Sequence, residues 1–286
     1  MASPFKLGII ADEITDDLGQ ALEFISSHSL DYCELREMWQ KNIMSLSPSE
    51  LARAKQLVHR YNLRVSDIAS PIFKYHLPEM PAQPENPLLF HSKFTDRDSA
   101  WLLARSFEIA HLFGTTQVRV FSFWRVKSPE EAYPYVRDRL AKAAELAERS
   151  GITLMLENEY DTNVATAGEL GRILRDIDSL HLRANWDPGN DAMMDEVPYP
   201  DGYRHVQGLV AHLHIKDVRR SPHPSRLIWA PVGSGLIDWR GQLRALRDEK
   251  YSGTMSLETH YRPGSDALKA AQESLAGLMK IIREIG

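Results

Sequence analysis

Eight short runs of β-branched and aliphatic residues alternate with helix-like segments along the chain, and that alternation leaves few architectures open. The runs are Leu7–Ala11, Tyr32–Leu35, Arg64–Ala69, Gln117–Phe121, Ile152–Glu157, Leu182–Trp186, Val210–Ile215 and Thr254–Leu257. Short apolar runs bounded by turn signals read as buried parallel strands. The segments between them carry helix signals. Ser49–Tyr61 follows Ser47-Pro48, a cap residue and a proline in the first turn. Ser128–Arg149 opens on Ser128-Pro129-Glu130-Glu131, with acids facing the positive helix end, and stops at Ser150-Gly151. Asp98–Phe113 stops at Gly114, where glycine suits the left-handed position past a helix, and Ala267–Ile285 is the last helix.

Strict alternation of strand and helix predicts a parallel sheet with right-handed crossovers. Eight such units in 286 residues fit a closed (β/α)8 TIM barrel, one domain over residues 1–286, better than an open doubly wound sheet. No Gly-x-Gly-x-x-Gly follows the first run, so a dinucleotide-binding half has no support. Two long loops leave strand ends: Pro71–Asp96, rich in proline, and Arg219–Asp238, with Pro222, Pro224, Pro231, Gly233 and Gly235. Both are expected on the barrel face where such folds keep their chemistry.

A formal net charge of −5 argues against a nucleic-acid partner, which needs a basic footprint. No stretch approaches the ~20 apolar residues of a membrane span, and no charged and apolar leader is visible. The expectation is a soluble, cytoplasmic protein. Cys33, the single cysteine, lies in an apolar run and is expected as a buried structural thiol.

The last four strands each end in a carboxylate or an imidazole: Glu157, Asp187, His214 and Glu258. A charged group at the mouth of a buried strand is expensive to desolvate unless paired. Neighbouring strand ends converge above a barrel axis, so the four predict one divalent metal. Three carboxylates and one imidazole suit Mn²⁺, Mg²⁺ or Co²⁺, and Zn²⁺ is possible; Mn²⁺ is the expected ion. His212 shares the face of His214 and is expected one layer below it, hydrogen-bonded inside the barrel.

Further candidates ring the same mouth. Lys216 shares the inward parity of His214 and is read as reaching a substrate oxygen, with a plain surface lysine as the alternative. Asn158 is a loop-former or a substrate hydrogen-bonder, and His260 either orients Glu258, donates to substrate or faces solvent. Glu159 shares the parity of Glu157 and is read as a support behind the ligands or a helix-start acid. Arg36, Lys74 and Arg119 add cations that suit an anionic or polyhydroxy substrate. Arg119, within a strand, is either ion-paired inside the barrel or functional. Trp39, Trp124, Trp186, Trp229 and Trp239 offer flat faces to sugar carbons, or pack in core and loops.

Leu156-Glu157-Asn158, Asp187-Pro-Gly-Asn190, His214-Ile-Lys-Asp217, Pro231-Val-Gly-Ser-Gly-Leu-Ile-Asp238-Trp239 and Ser256-Leu-Glu258-Thr-His260 occur in this order. Together they resemble the xylose isomerase-like (β/α)8 superfamily, over nearly the whole chain. It includes ketose 3-epimerases, inosose dehydratases and isomerases, hydroxypyruvate isomerase and the endonuclease IV group. The resemblance implies that Glu157, Asp187, His214 and Glu258 hold the metal, that Glu157 and Glu258 also serve as acid and base, and that the protein is a homo-oligomer, dimer or tetramer. Many members carry histidine where this chain has Asn190. The strand ends at Ser70-Pro71-Ile72 and Phe121-Ser122-Phe123 lack the histidines of the nuclease branch.

The expected activity is metal-dependent isomerisation or epimerisation of a small keto-sugar, polyol or sugar phosphate through an enediolate. Loss of a β-hydroxyl from the same enediolate, a dehydratase or lyase reaction, is the first alternative, with Lys216 or His260 as acid. A non-catalytic sugar-binding barrel is the second.

Overall fold

The computed structural model describes residues 4–80, 93–222 and 227–286. Eight parallel strands close on themselves: β1 (Lys6–Ile10), β2 (Tyr32–Leu35), β3 (Arg64–Ile68), β4 (Gln117–Val120), β5 (Thr153–Glu157), β6 (Leu182–Trp186), β7 (Val210–Ile215) and β8 (Thr254–Leu257). Each pairs with its neighbours in sequence, and β1 pairs with β8 through Lys6 opposite Thr254 and Ile9 opposite Leu257. The expected (β/α)8 barrel is the observed one, and its strands lie within one residue of the expected bounds.

Helices cover the strands: α1 (Leu18–Ser27), α2 (Pro48–Arg60), α3 (Ser99–Phe113), α4 (Pro129–Arg149), α5 (Ala167–Ile177), the short α6 (Pro188–Met193) and α7 (Tyr203–Val206), then α8 (Trp239–Asp248) and α9 (Ala267–Ile285). Their starts follow the local chemistry. The Ser47 hydroxyl accepts from the Glu50 amide while the Glu50 carboxylate accepts from the Ser47 amide, a reciprocal cap on α2. Thr166 and Glu169 repeat the arrangement on α5. Ser128, expected to cap α4, makes no side-chain cap; Pro129 alone marks that start. Gly114 ends α3 at φ +74°, as expected.

The loop after β7 differs from expectation. Asp217–Arg220 and Leu227–Ala230 form an antiparallel hairpin, with Val218 opposite Trp229. Its proline-rich composition reads as loop, but Leu-Ile-Trp-Ala is itself a strand-forming run. Pro224 and residues 81–92 of the other long loop lie outside the described residues.

The core sits between barrel and helices, where residues such as Ile9, Leu35, Val118, Leu154 and Leu213 are fully buried. The barrel interior is different. Glu34, Asp67, Arg119, Glu157, Asn185, His212, His214 and Ser256 are all buried there. A closed parallel barrel filled with charged side chains is costly unless its members pair, and that pairing defines the site.

Candidate metal centre

Glu157 is the last residue of β5, and Asp187 immediately follows β6, where it caps α6 by accepting from the Asn190 amide at 3.0 Å. His214 lies next to the end of β7 and Glu258 directly follows β8. Neighbouring strands thus deliver four donor groups to one point, with ligand atoms all within 4.8 Å of one another. His214 Nδ1 is the hub. It lies 3.1 Å from Glu157 Oε1, 3.4 Å from Glu258 Oε2 and 3.9 Å from Asp187 Oδ2.

Cations offset the crowded acids. The Lys216 ammonium, fully enclosed, sits 2.7 Å from Asp187 Oδ2 and 2.9 Å from Glu258 Oε2. It fits because Gly189 has no side chain: a β-carbon there would stand 2.5 Å from Lys216 Cγ. Arg36 reaches Asp12 at 2.8 Å, Glu13 at 2.6 Å and Glu258 Oε1 at 2.7 Å. Arg119 lies inside the barrel with Nη1 3.3 Å from Glu157 Oε2. His260 Nε2 is 3.4 Å from Glu258 Oε1, against the Trp229 ring at 5.0 Å. Lys74 pairs with Glu159 at 3.1 Å and lies over the Phe121 ring at 4.4 Å. Arg36, Arg119, Lys216 and His260 therefore each touch at least one of the four proposed ligands, while Lys74 meets Glu159.

Electrostatics follow from this packing. Burial drives Glu157 upward, but His214 and Arg119 outweigh it and hold the carboxyl at about 2. Burial also works against ionised Glu258, and Lys216, His260 and His214 overcome it, keeping it well below the usual carboxylate range. Asp187 goes the other way. Burial raises it to about 6 despite Lys216, because Glu157 and Glu258 also press on it. Lys216 itself stays well above its ordinary value: Asp187 and Glu258 together outweigh its desolvation. Lys216 bridges two acids, while Asp187 stands among four charged groups, Lys216, Glu157, Glu258 and His214.

The residues fit a divalent cation on two observations. Glu157 Oε2 and Asp187 Oδ2 are buried oxygens that accept no well-aligned hydrogen bond and face only the charges of Arg119 at 3.3 Å and Lys216 at 2.7 Å, which leaves their lone pairs open to a cation. The four ligand atoms lie within 4.8 Å of one another, close enough to surround one ion whose bonds are about 2.0–2.2 Å long.

Asn158, expected as a loop-former or a substrate hydrogen-bonder, is fully buried beside Asp187. Its Nδ2 donates to the Asp187 carbonyl at 2.9 Å and to Asp191 Oδ1 at 3.2 Å, and its Oδ1 accepts from the Asp187 amide at 2.8 Å. Its amide hydrogens are thus divided between Asp187 and Asp191. Asn190 Nδ2 donates to the Asn158 carbonyl at 2.8 Å, in the same support. Trp186 is buried and donates to Asp191 at 2.6 Å, Trp239 is buried, and Trp39 lies under Arg53. Of the five tryptophans named from sequence, Trp124 and Trp229 are the two beside mouth cations. His212 lies below His214 as expected, with Nδ1 2.6 Å from Thr254 Oγ1.

Glu34 escaped the sequence reading. It sits mid-strand in β2, two residues before Arg36, and meets His212 Nε2 at 3.0 Å and His214 Nε2 at 3.1 Å. An acid inside an apolar run, in phase with Arg36, was the available signal. Asp12, Glu13 and Asp191 had none, because they lie in turns and a short helix. The register between β2 and β3 slips by one residue beside Glu34, and between β6 and β7 just before His212. Such bulges favour active sites, where they re-aim side chains.

A family model for the xylose isomerase-like TIM barrel matches residues 22–281. The chain belongs to the xylose isomerase-like TIM barrel family. Within reviewed proteins it is similar to an inosose dehydratase of Geobacillus thermodenitrificans (strain NG80-2), 25% identical over 161 residues. That match covers 50% of this chain and spans 54% of the dehydratase. Solved relatives of this xylose isomerase-like barrel share its fold. A zinc-bound IOLI protein superposes with a TM-score of 0.76 at 17% identity, over 99% of each chain. A Mycobacterium smegmatis family member in complex with magnesium gives 0.71 at 17% identity, over 100% of each chain. The Escherichia coli 3-keto-D-glucoside 4-epimerase YcjR gives 0.72 at 18% identity, over 96% of this chain and 99% of its own. Among the described residues, no helix is long and apolar enough to cross a membrane.

Proposed function

We propose that this barrel is a divalent-metal-dependent isomerase or epimerase of a small keto-sugar or related polyol, working with Mn²⁺. Glu157, Asp187, His214 and Glu258 hold the ion, and Glu157 and Glu258 are acid and base. One observation carries the reading: two glutamates from separated strands stand 3.1 and 3.4 Å from the same nitrogen, His214 Nδ1. A bound divalent cation would supply Lewis-acid polarisation of a substrate carbonyl, which acidifies the neighbouring C–H.

The chain's own residues handle the proton. Glu157 comes from β5 and Glu258 from the end of β8, with β6 and β7 between them. They therefore address a bound carbon from different sides. One takes the proton and the other returns it to the opposite face, which inverts that carbon. Return to the adjacent carbon isomerises instead. A carboxylate held at about 2 is a weak base, so proton removal depends on the acidified C–H. Arg36 and Lys216 each bind one oxygen of Glu258, at 2.7 and 2.9 Å, and fix its orientation before substrate arrives.

Arg36, Lys74, Arg119 and Lys216 each already face a carboxylate. A phosphate group would find no uncommitted cation among these four, which favours a neutral polyhydroxy substrate. Lys74 and His260 can give hydrogen bonds to hydroxyls, while Trp124 and Trp229 offer faces to sugar carbons.

A second reading keeps the site and loses water from substrate. The similarity to an inosose dehydratase favours it, and Lys216 or His260, which both face Glu258, would be the acid for the leaving hydroxyl. One experiment separates the two. Mn²⁺-loaded protein is incubated in D₂O with ketoses, inososes, 3-keto-sugars and their phosphates, and followed by NMR. Inverted or isomerised product with deuterium at one carbon, lost in Glu258→Gln and after chelation, supports the isomerase. Dehydrated product supports the second reading. Metal binding without exchange on any substrate overturns both.

A further inference from the structure

We infer that Glu34 decides which nitrogen of His214 faces the proposed metal position, and thereby makes His214 a ligand through Nδ1. The inference rests on the metal reading above and adds a positioning residue to it. Glu34 is fully buried in β2, and each of its oxygens meets one imidazole: Oε2 lies 3.0 Å from His212 Nε2, and Oε1 lies 3.1 Å from His214 Nε2. An ionised carboxylate only accepts hydrogen bonds, so both Nε2 atoms must carry hydrogen. In a neutral imidazole that leaves the lone pair on Nδ1. For His214, Nδ1 is the atom turned to Glu157, Glu258 and Asp187. For His212, Nδ1 becomes an acceptor for the Thr254 hydroxyl at 2.6 Å. Thr254, His212, Glu34 and His214 thus form one directed chain beneath the four proposed ligands.

A competing contact tests this assignment within the structure. Asn185 Nδ2 lies 3.2 Å from His214 Nε2, and as a donor it would demand a bare Nε2. An amide can be turned over, which brings Asn185 Oδ1 to the N–H; that oxygen is buried and has no partner as placed. An ionised Glu34 has no hydrogen to give at either of its imidazole contacts, at 3.0 and 3.1 Å, whereas an amide can offer either its oxygen or its nitrogen. The carboxylate therefore governs, and the amide follows.

Glu34 partners the Nε2 atoms of two buried histidines, and burying its charge costs several kcal/mol before pairing. Its placement is what a ligand imidazole needs: a carboxylate on the far nitrogen fixes ring and tautomer and strengthens donation to the metal, and loss of such a partner typically lowers metal affinity about 10–100-fold.

The test uses zinc, which is diamagnetic, on protein labelled with ¹⁵N-histidine. One equivalent should move a single imidazole, with coordination at Nδ1 and hydrogen retained on Nε2. Titration calorimetry should show Glu34→Gln binding zinc at least about tenfold more weakly than wild type, with its circular dichroism unchanged. Glu258→Gln, which removes a proposed ligand directly, identifies the site being titrated. Coordination through Nε2, or an affinity in folded Glu34→Gln within twofold of wild type, overturns the inference and leaves the metal reading standing. Wild-type protein that binds no zinc at this site overturns both. Should Glu34→Gln fail to fold, the wild-type spectrum still decides which nitrogen binds.

Discussion

Lys216 illustrates how much of this protein is set by single side chains. Its ammonium bridges Asp187 and Glu258 only because Gly189 leaves the space its stem occupies. Gly189→Ala puts a β-carbon 2.5 Å from Lys216 Cγ, so the lysine must leave. Misplacement of a site group by about 1 Å can lower turnover about 100-fold. Gly189→Ala is therefore expected to slow the deuterium exchange described above by about that factor while the protein stays folded. Exchange within threefold of wild type would show that Lys216 is dispensable there. At this scale the sequence is legible where a charged residue ends an apolar run, as for Glu157, Asp187, His214 and Glu258. It is less legible where several groups share one partner. Asn158 looks like a substrate contact, yet its amide belongs to Asp187 and Asp191. Nothing in the order Glu-Asn-Glu reveals an acid 33 positions later.

Among the elements, the connection from β7 to α8 is held by one carboxylate. Asp217 accepts from the backbone amides of Val218 at 2.9 Å, Gly233 at 2.9 Å, Gly235 at 3.1 Å and Ile237 at 3.3 Å. A β-carbon at Gly235 would lie 2.1 Å from Asp217 Oδ1, so glycine is required for that approach. Hydrogen bonds to a charged group contribute about 1.5–3 kcal/mol each, and orphaned buried donors are penalised further. Asp217→Ala is expected to lose about 3 kcal/mol of stability in urea denaturation, whereas Asp217→Asn, which keeps one acceptor oxygen, should lose less. Equal losses would mean that the carboxylate contributes shape rather than hydrogen bonding. This aspartate lies in the same short motif as His214 and Lys216, and the motif alone does not separate a strut from a reacting group. The strands were legible because apolar runs of buried parallel strands have little else they can form. The hairpin was not, since prolines and glycines around Leu227–Ala230 outweigh a four-residue strand signal.

For the molecule as a whole, closure of the barrel is what buries Cys33, which lies in β2 between helix layer and barrel and is fully enclosed. Burial, with Glu34 beside it, pushes its thiol up to about 12. Native protein at pH 8 should therefore resist iodoacetamide, with labelling by mass spectrometry appearing only as urea opens the barrel. Stoichiometric labelling of folded protein within minutes would contradict that enclosure. The sign of the pH effect follows: unfolded chain loses this proton near 9.0 and folded chain only near 12, so stability declines as pH rises through that window. Closure was legible from eight repeats of one pattern. The polar interior was less so, because strand periodicity says which face is turned inward but not what waits there from other strands. Arg36 and Glu258, which bond at 2.7 Å, are 222 residues apart in sequence, and Glu34 and His214 are 180 apart. Contacts that distant are costly to close and form late. On a growing chain, Glu34 thus waits for His212 and His214 until β7 has been made, and Arg36 waits for Glu258 until β8 has been made. Quality control during synthesis would meet a half-barrel whose most polar surface is the one destined to be most deeply hidden.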